Sequence, residues 1–183
     1  MPYRKEMEEF NERFVENKDY KRYLTTKYPE RKIAILTCMD TRLIELLPAA
    51  LNLKNGDAKI IKNAGGVISH PFGSAIRSLM KCVYELGVEE IFVIGHHDCG
   101  MHNTDTVSLI SKMKARGIRE ADLELIEYFN INLEEWLKGF EDSAASVRDT
   151  VSMIKKHPLL PHEVTCTGYL MDPTTGKLER VAE

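Results

Sequence analysis

The sequence lacks the features that mark membrane-spanning, secreted and nucleic-acid-binding proteins. No apolar run approaches the roughly 20 residues that a helix needs to span a bilayer, and the strongly charged segment Met1–Arg13 has no signal-peptide core. The net charge of −3 gives no electrostatic reason for a nucleic acid or an anionic membrane as partner. We therefore expect a cytoplasmic protein that binds neither membranes nor nucleic acids.

Cysteine is also scarce, with four residues in the chain. Two of them, Cys38 and Cys99, lie in short polar motifs. This placement favours metal binding in a reducing compartment over a disulfide framework. Cys82, in a predicted helix with apolar neighbours, and Cys166, in a predicted strand, are more typical of core residues.

Length and composition indicate a single domain over residues 1–183. The apolar fraction of 43% and the charged fraction of 29% are ordinary for a globular protein of this size. Short apolar stretches, the first three β-branched, predict strands over 32–37, 58–62, 90–95 and 164–171. Strands that alternate with helices predict an α/β fold, with a mostly parallel, doubly wound sheet of four to five strands flanked by helices.

An N-terminal helical arm over residues 1–30 is predicted by the spacing of apolar residues. Met7, Phe10, Phe14 and Val15 fall on one face of a helix that would span residues 5–29. The other positions are charged or polar. Such a helix would lie either on the domain or on a partner subunit.

Two further helical regions follow along the chain. Ser69 and Pro71 predict a helix start, with Ser69 as its cap, and Gly87 predicts the end of that helix. Residues 104–156 are predicted to be mostly helical, with breaks around Gly117 and Gly139.

Two polar motifs directly follow predicted strands. Cys38 opens the run Cys38-Met39-Asp40-Thr41-Arg42, and His96 and Cys99 lie in Gly95–Gly100. Ligands of doubly wound sheets bind beyond the carboxyl ends of strands, where the strand order reverses. If the two strands are neighbours there, Cys38, His96 and Cys99 converge. Two thiolates and one imidazole favour zinc and leave its fourth position open for water.

Asp40 and Arg42 are the candidates for catalysis beside such a metal. A bidentate pair with Arg42 would keep Asp40 ionised and leave it only an acceptor. Asp40 could then orient a zinc-bound hydroxide, which still has a proton to donate. Two alternatives stay open: Asp40 is itself the fourth ligand and closes the site, or Asp40 and Arg42 form a surface ion pair.

Small residues surround the two motifs. Ala64, Gly65 and Gly66 follow the second predicted strand, and Gly100 follows Cys99. We expect these four to line a substrate pocket, because glycine lets backbone approach a ligand closely; simple turn geometry is the alternative.

Four further polar residues lie near the two motifs. His97 and His102 either carry protons to solvent or are merely exposed. Asp98 and Lys62 have no role that the sequence assigns.

Together, these motifs resemble those of the β-class carbonic anhydrases, in the compact prokaryotic branch of that family. The family pattern Cys-x-Asp-x-Arg matches residues 38–42, and Gly-His-x-x-Cys-Gly matches residues 95–100. Residues 56–65 and the Asp-x-x-Thr-Gly turn at 172–176 are also similar. The resemblance extends over almost the whole chain, from about Lys32 to Val181.

The resemblance implies a function and an assembly. The function is reversible hydration of carbon dioxide to bicarbonate and a proton, through hydroxide on one zinc ion per chain. Zinc would be held by Cys38, His96 and Cys99, beside the catalytic pair Asp40 and Arg42. The assembly would be a homodimer or a larger assembly of dimers, with the N-terminal helix on the partner subunit.

Two other functions fit the same residues. Carbonyl sulfide and carbon disulfide are linear isosteres of carbon dioxide that relatives of this family hydrolyse. Alternatively, the chain is a non-catalytic zinc or redox-thiol module in which Asp40 is a permanent fourth ligand.

Overall fold

The computed structural model describes residues 3–183, which form five strands and seven α-helices around one sheet. The strands are β1 (Ile33–Cys38), β2 (Ala58–Asn63), β3 (Glu90–His96), β4 (Thr165–Met171) and β5 (Leu178–Ala182). The helices are α1 (Tyr3–Glu16), α2 (Leu43–Ala50), α3 (Ser74–Leu86), α4 (Thr106–Ala115), α5 (Glu120–Tyr128), α6 (Leu133–Leu137) and α7 (Ser143–Lys155). Short 3₁₀ turns occupy Asp19–Tyr23 and Ala64–Gly66.

The sheet has the strand order β2-β1-β3-β4-β5. The first four strands are parallel, and β5 pairs antiparallel with β4. The chain runs from β1 to β2 on one side and then to β3 on the other, so the strand order reverses between β1 and β3. The predicted mostly parallel, doubly wound α/β fold is thereby confirmed. The turn at residues 172–176 leads into β5, a strand for which the sequence analysis gave no bounds.

Both faces of the sheet bury apolar side chains. The larger core lies between the sheet and helices α3 and α7, where Leu36, Leu79, Ile91, Val93 and Val151 are buried. The smaller core lies under α2 and includes Ile35, Leu43, Leu47 and Ile94. The first and third strands are almost fully buried, which explains their continuous apolar sequence.

The N-terminal arm is shorter than predicted. Helix α1 ends at Glu16, and the 3₁₀ turn that follows ends at Tyr23, so the predicted helix over 24–29 is wrong. Lys18 has a positive φ of 61°, outside the right-handed helical region, so the helix does not continue through it. None of the described residues of α1 is buried against the domain.

The start of α3 also differs from the prediction. Gly73 rather than Ser69 precedes the first helical turn. The His70 carbonyl accepts from Gly73 N–H, and its ring Nδ1 accepts from Phe72 N–H, so His70 closes a turn before the helix. Gly87 ends the helix as predicted, with a φ of 70° that favours glycine.

The breaks predicted between residues 104 and 156 are confirmed at Gly117 and Gly139, which separate α4 from α5 and α6 from α7. Asn130, with a φ of 58°, adds a third break that the sequence analysis did not anticipate. No helix within residues 3–183 is long and apolar enough to cross a bilayer.

Candidate metal centre

The reversal of strand order brings Cys38, His96 and Cys99 together. Cys38 is the last residue of β1, His96 is the last residue of β3, and Cys99 lies in the loop after β3. All three are buried, and their potential ligand atoms lie within 4.8 Å of one another. Thr37 ties the two strands at this end, because its hydroxyl donates to the Ile94 carbonyl over 2.7 Å. The three residues therefore form a group that could hold a metal ion.

The His96 ring is oriented for coordination. Its Nδ1 lies 2.8 Å from the His97 carbonyl, which can only accept, so Nδ1 carries the proton. The lone pair of Nε2 then points into the group of three. Among residues 3–183, Nε2 is a buried polar side-chain atom without a hydrogen-bond partner. Such an atom costs free energy unless a ligand satisfies it, which fits a metal ion at this position.

The two thiols also fit a divalent cation. Their sulfur atoms lie 3.7 Å apart. Burial works to raise the pKa of Cys38, but the His96 ring, when protonated, and the backbone N–H groups of Asp40 and Gly65 lower it to about 7. Burial and the negative charge of Cys38 raise the pKa of Cys99 to about 11. Ionisation of Cys38 thus disfavours ionisation of Cys99, because two thiolates so close together repel each other. A cation bound between the two sulfur atoms would offset this repulsion.

Asp40 and Arg42 form a bidentate ion pair beside this group. Nε of Arg42 donates to Oδ1 of Asp40 over 3.0 Å, and Nη2 donates to Oδ2 over 2.8 Å. These bonds outweigh the effect of burial and hold the pKa of Asp40 at about 2. The Asp40 side chain is only 16% exposed, so the pair is not a simple surface contact.

Gly66 closes the loop between β2 and α3 onto the end of β1. Its φ is 66°, and a Cβ there would lie 2.8 Å from the backbone N of Cys38 and from the carbonyl carbon of Thr37. The side chain of Asn63 braces the same loop through bonds to the backbone N–H and carbonyl of Val67. Glycine is therefore required here for close approach to a ligand-bearing strand.

A cleft of about 690 Å³ reaches Gly100, the residue after Cys99. Ala64 and Gly100 line this cleft, whereas Gly65 and Gly66, which were also predicted to line a pocket, are buried and do not. Met101 also lines the cleft, and a Cβ on Gly65 would contact both Met101 and Phe140. Phe140, far from both motifs in sequence, reaches the site through its backbone bond to the Met101 carbonyl and by packing against the apolar cluster that includes Cys38 and Cys99, so no local sequence signal marks it.

The remaining polar residues lie at the edge of the site. His97 is exposed, and its backbone N–H donates to the Met171 carbonyl. His102 lines the cleft, and its Nε2 lies 2.8 Å from the Glu141 carbonyl. Lys62 reaches the Leu43 carbonyl over 3.4 Å. Asp98 contacts Arg42, a relationship that the sequence alone did not suggest.

Comparisons with known proteins place this fold and site in a family. A family model described as carbonic anhydrase matches residues 33–178. "Putative carbonic anhydrase YtiB" of Bacillus subtilis (strain 168) is 52% identical over 173 residues, which cover 94% of this chain and 92% of that protein. The crystal structure of β-carbonic anhydrase isoform I from Trichomonas vaginalis matches with a TM-score of 0.89 and 35% identity, over 100% of this chain and 99% of that one.

A relative with a different named activity is also similar. A protein of Acidithiobacillus thiooxidans named carbon disulfide hydrolase is 32% identical over 154 residues, which cover 81% of this chain and 76% of that protein. The match to the family model includes both polar motifs and the strands that carry them.

Proposed function

Because the chain belongs to the β class of the carbonic anhydrase family, we propose that it catalyses the reversible hydration of carbon dioxide to bicarbonate and a proton. The observation that carries this proposal is the position of an ionised Asp40, held by Arg42, next to three converging metal ligands. A purely structural metal site would not require an ion pair between a carboxylate and a guanidinium at this position.

Cys38, His96 and Cys99 would hold one zinc ion per chain. Two thiolates and one imidazole suit zinc, and three protein ligands are the number found in catalytic zinc sites. Zinc bound there would lower the pKa of a coordinated water molecule and so supply a nucleophile near neutral pH. The hydrogen bond from His96 Nδ1 to the His97 carbonyl fixes the ring for this purpose.

Asp40 would orient the nucleophile. Its Oδ2 lies 3.8 Å from Nε2 of His96, so the carboxylate stands next to the predicted metal position. With a pKa of about 2, Asp40 is ionised at neutral pH and can only accept a hydrogen bond. A nucleophile that still carries a proton would donate a hydrogen bond to Asp40, and its lone pair would then face the substrate. Arg42 keeps both carboxylate oxygens in place for this role.

The substrate pocket would be formed by Ala64 and Gly100, with Met101 as an apolar wall, because these three residues line the cleft. Gly65 and Gly66, which the sequence also predicted to line the pocket, are buried and do not reach the cleft. Carbon dioxide is small, linear and without a net dipole, so it needs space beside the nucleophile more than hydrogen-bond donors. The small side chains of Ala64 and Gly100 would leave that space.

A second candidate substrate is carbon disulfide or its mixed analogue, carbonyl sulfide. The similarity to a named carbon disulfide hydrolase favours this alternative. Both molecules are linear, and the same nucleophile could attack their central carbon.

A parallel assay tests the proposal. Zinc-loaded protein is mixed with carbon dioxide and, separately, with carbon disulfide and carbonyl sulfide, and the release of protons or sulfide is followed. Proton release with carbon dioxide that greatly exceeds sulfide release supports the carbonic anhydrase reaction. Sulfide release alone would move the assignment to the second candidate.

The assembly and compartment follow from other features of the chain. We propose a homodimer, or an assembly of dimers, in which α1 packs on the partner subunit, since Met7, Phe10 and Val15 are exposed in one chain.

All four cysteines within residues 3–183 are free thiols, which supports a cytoplasmic location, where thiols stay reduced.

A further inference from the structure

We propose that Asp98 is a positioning residue, which holds Arg42 in the orientation that keeps Asp40 away from the metal position. The inference rests on the metal site of the proposed function, and it assigns a role to a residue outside the ligands and the Asp40–Arg42 pair. Three observations carry it: the bonding of Arg42, the backbone of Asp98, and the nearness of Asp40 to His96.

The guanidinium of Arg42 bridges two loops. On one side it holds both oxygens of Asp40, in the loop after β1. On the other side, Nη1 donates to Oδ2 of Asp98 over 2.9 Å, and Nη2 donates to the Asp98 carbonyl over 2.7 Å. These bonds use four of the five N–H groups of the guanidinium. A single planar group therefore ties Asp40 to the loop that carries His96 and Cys99.

Asp98 makes both contacts from an unusual backbone conformation. Its φ is 53°, in the left-handed region that Asp tolerates better than most residues, because its short side chain forms local hydrogen bonds. In this conformation one residue presents a carbonyl and a carboxylate to the same guanidinium. Its side chain is 88% exposed, so these bonds rather than packing hold it in place.

Asp40 needs such a restraint. Its Oδ2 is already 3.8 Å from Nε2 of His96, and a carboxylate oxygen binds zinc at about 2.0–2.2 Å. A rotation of the Asp40 side chain would make it the fourth ligand and exclude water. Arg42 prevents that rotation only while its Nε–H and Nη2–H groups face Asp40. The two bonds to Asp98 fix the plane of the guanidinium in that orientation.

The role is separable from a contribution to folding. The Arg42 and Asp98 side chains are 40% and 88% exposed, and an ion pair so exposed contributes little to stability. Loss of the Asp98 carboxylate should therefore leave the urea midpoint of unfolding unchanged. Its effect should appear in the fraction of molecules whose metal position is open.

Binding of thiocyanate to the cobalt(II)-substituted protein measures that fraction, because the anion binds an open metal position and changes the visible spectrum. Asp98→Gly retains the left-handed backbone and the carbonyl but removes the carboxylate. We expect its dissociation constant for thiocyanate to rise about tenfold. This is the rise expected if the metal position is open in only about one tenth of the molecules, because the apparent dissociation constant is the intrinsic one divided by the open fraction. Asp122→Asn is the matched control, since it removes the carboxylate of another exposed Arg pair, with Arg119, and should bind thiocyanate like the unmodified chain.

A double substitution identifies Asp40 as the group that closes the site. In the Asp98→Gly background, Asp40→Ala should restore the thiocyanate affinity to that of Asp40→Ala alone. Equal affinity in the unmodified chain and Asp98→Gly would overturn the inference, as would a failure of Asp40→Ala to restore binding. Loss of cobalt from Asp98→Gly would also overturn it, by showing that Asp98 supports the ligand loop instead. An unmodified chain that binds no cobalt would overturn the metal site itself, and with it the proposed function.

Discussion

Oδ2 of Asp40 lies 3.8 Å from Nε2 of His96, yet both oxygens of Asp40 are held by Arg42. The carboxylate is thus close enough to act on a group bound beside His96, and restrained from binding there itself. Of the three readings of Asp40 that the sequence leaves open, this geometry disfavours the surface ion pair and supports an orienting role.

The first prediction concerns the ligand set. Cys38→Ala should lower zinc affinity by more than roughly 100-fold, because it removes a coordinating sulfur. The reference value is the roughly 10- to 100-fold loss seen when a ligand only loses its hydrogen-bond partner. Cys82→Ala is the matched control: Cys82 is also buried, but it lies in α3, in the core away from the site. Zinc content is measured by mass spectrometry of the metal after dialysis. Full zinc content in Cys38→Ala would show that the ligand set is wrong.

The second prediction concerns Gly66. Replacement by alanine should destabilise the protein for two reasons, the left-handed φ of 66° and the close approach of the new Cβ to Cys38 and Thr37. Gly87→Ala separates the two, because Gly87 has a φ of 70° and no described atom lies within 4 Å of its Cβ position.

Urea unfolding measures both variants. Gly87→Ala should cost about 1–2 kcal/mol from the backbone alone, and Gly66→Ala about 1–3 kcal/mol more from overpacking. Only Gly66→Ala should also impair activity, since the clash falls on the end of β1. Equal costs in the two variants would contradict the role given to Gly66.

The third prediction concerns the N-terminal arm. The double variant Met7→Asp with Phe10→Asp puts two charges on the exposed apolar face of α1. It should dissociate the proposed dimer, because burying unpaired carboxylates in an apolar interface is unfavourable. Glu12→Lys, on the opposite face of the helix, should leave the dimer intact. Sedimentation velocity should report at least twice the chain mass for the unmodified protein and the same mass for Glu12→Lys. A monomer in the unmodified protein would refute the proposed assembly.

Much of the fold follows from local sequence patterns. The buried parallel strands have continuous apolar, β-branched sequences such as Ile33–Leu36, and each parallel strand lies within two residues of its predicted bounds. The convergence of Cys38 and His96 could also be predicted, since strands of a doubly wound sheet bring polar residues at their carboxyl ends to one edge.

The rest depends on contacts between distant segments. The false helix start at Ser69 had the right capping chemistry, but His70 closes a separate turn there, and His157 donates to the Pro71 carbonyl from the end of α7. Asp98 and Phe140 carry no local signal for their places, because each is defined by a partner far away in sequence. Their residue types permit these roles, but only the fold brings each of them to its partner.

The most direct test of the account compares carbon dioxide hydration by the unmodified chain and by Asp40→Asn, both zinc-loaded, in a stopped-flow instrument from about pH 6.5 to 9. With a pKa of about 2, Asp40 would lose its charge only as the pH falls toward 2, so it stays ionised throughout this range. Activity of the unmodified chain should rise with pH along one titration curve, which belongs to the metal site. Asp40→Asn should keep its zinc and lose about 10²-fold in turnover, the cost of misplacing a reacting group by about 1 Å. Full activity in Asp40→Asn, or no hydration by the zinc-loaded unmodified chain at any pH, would contradict the account.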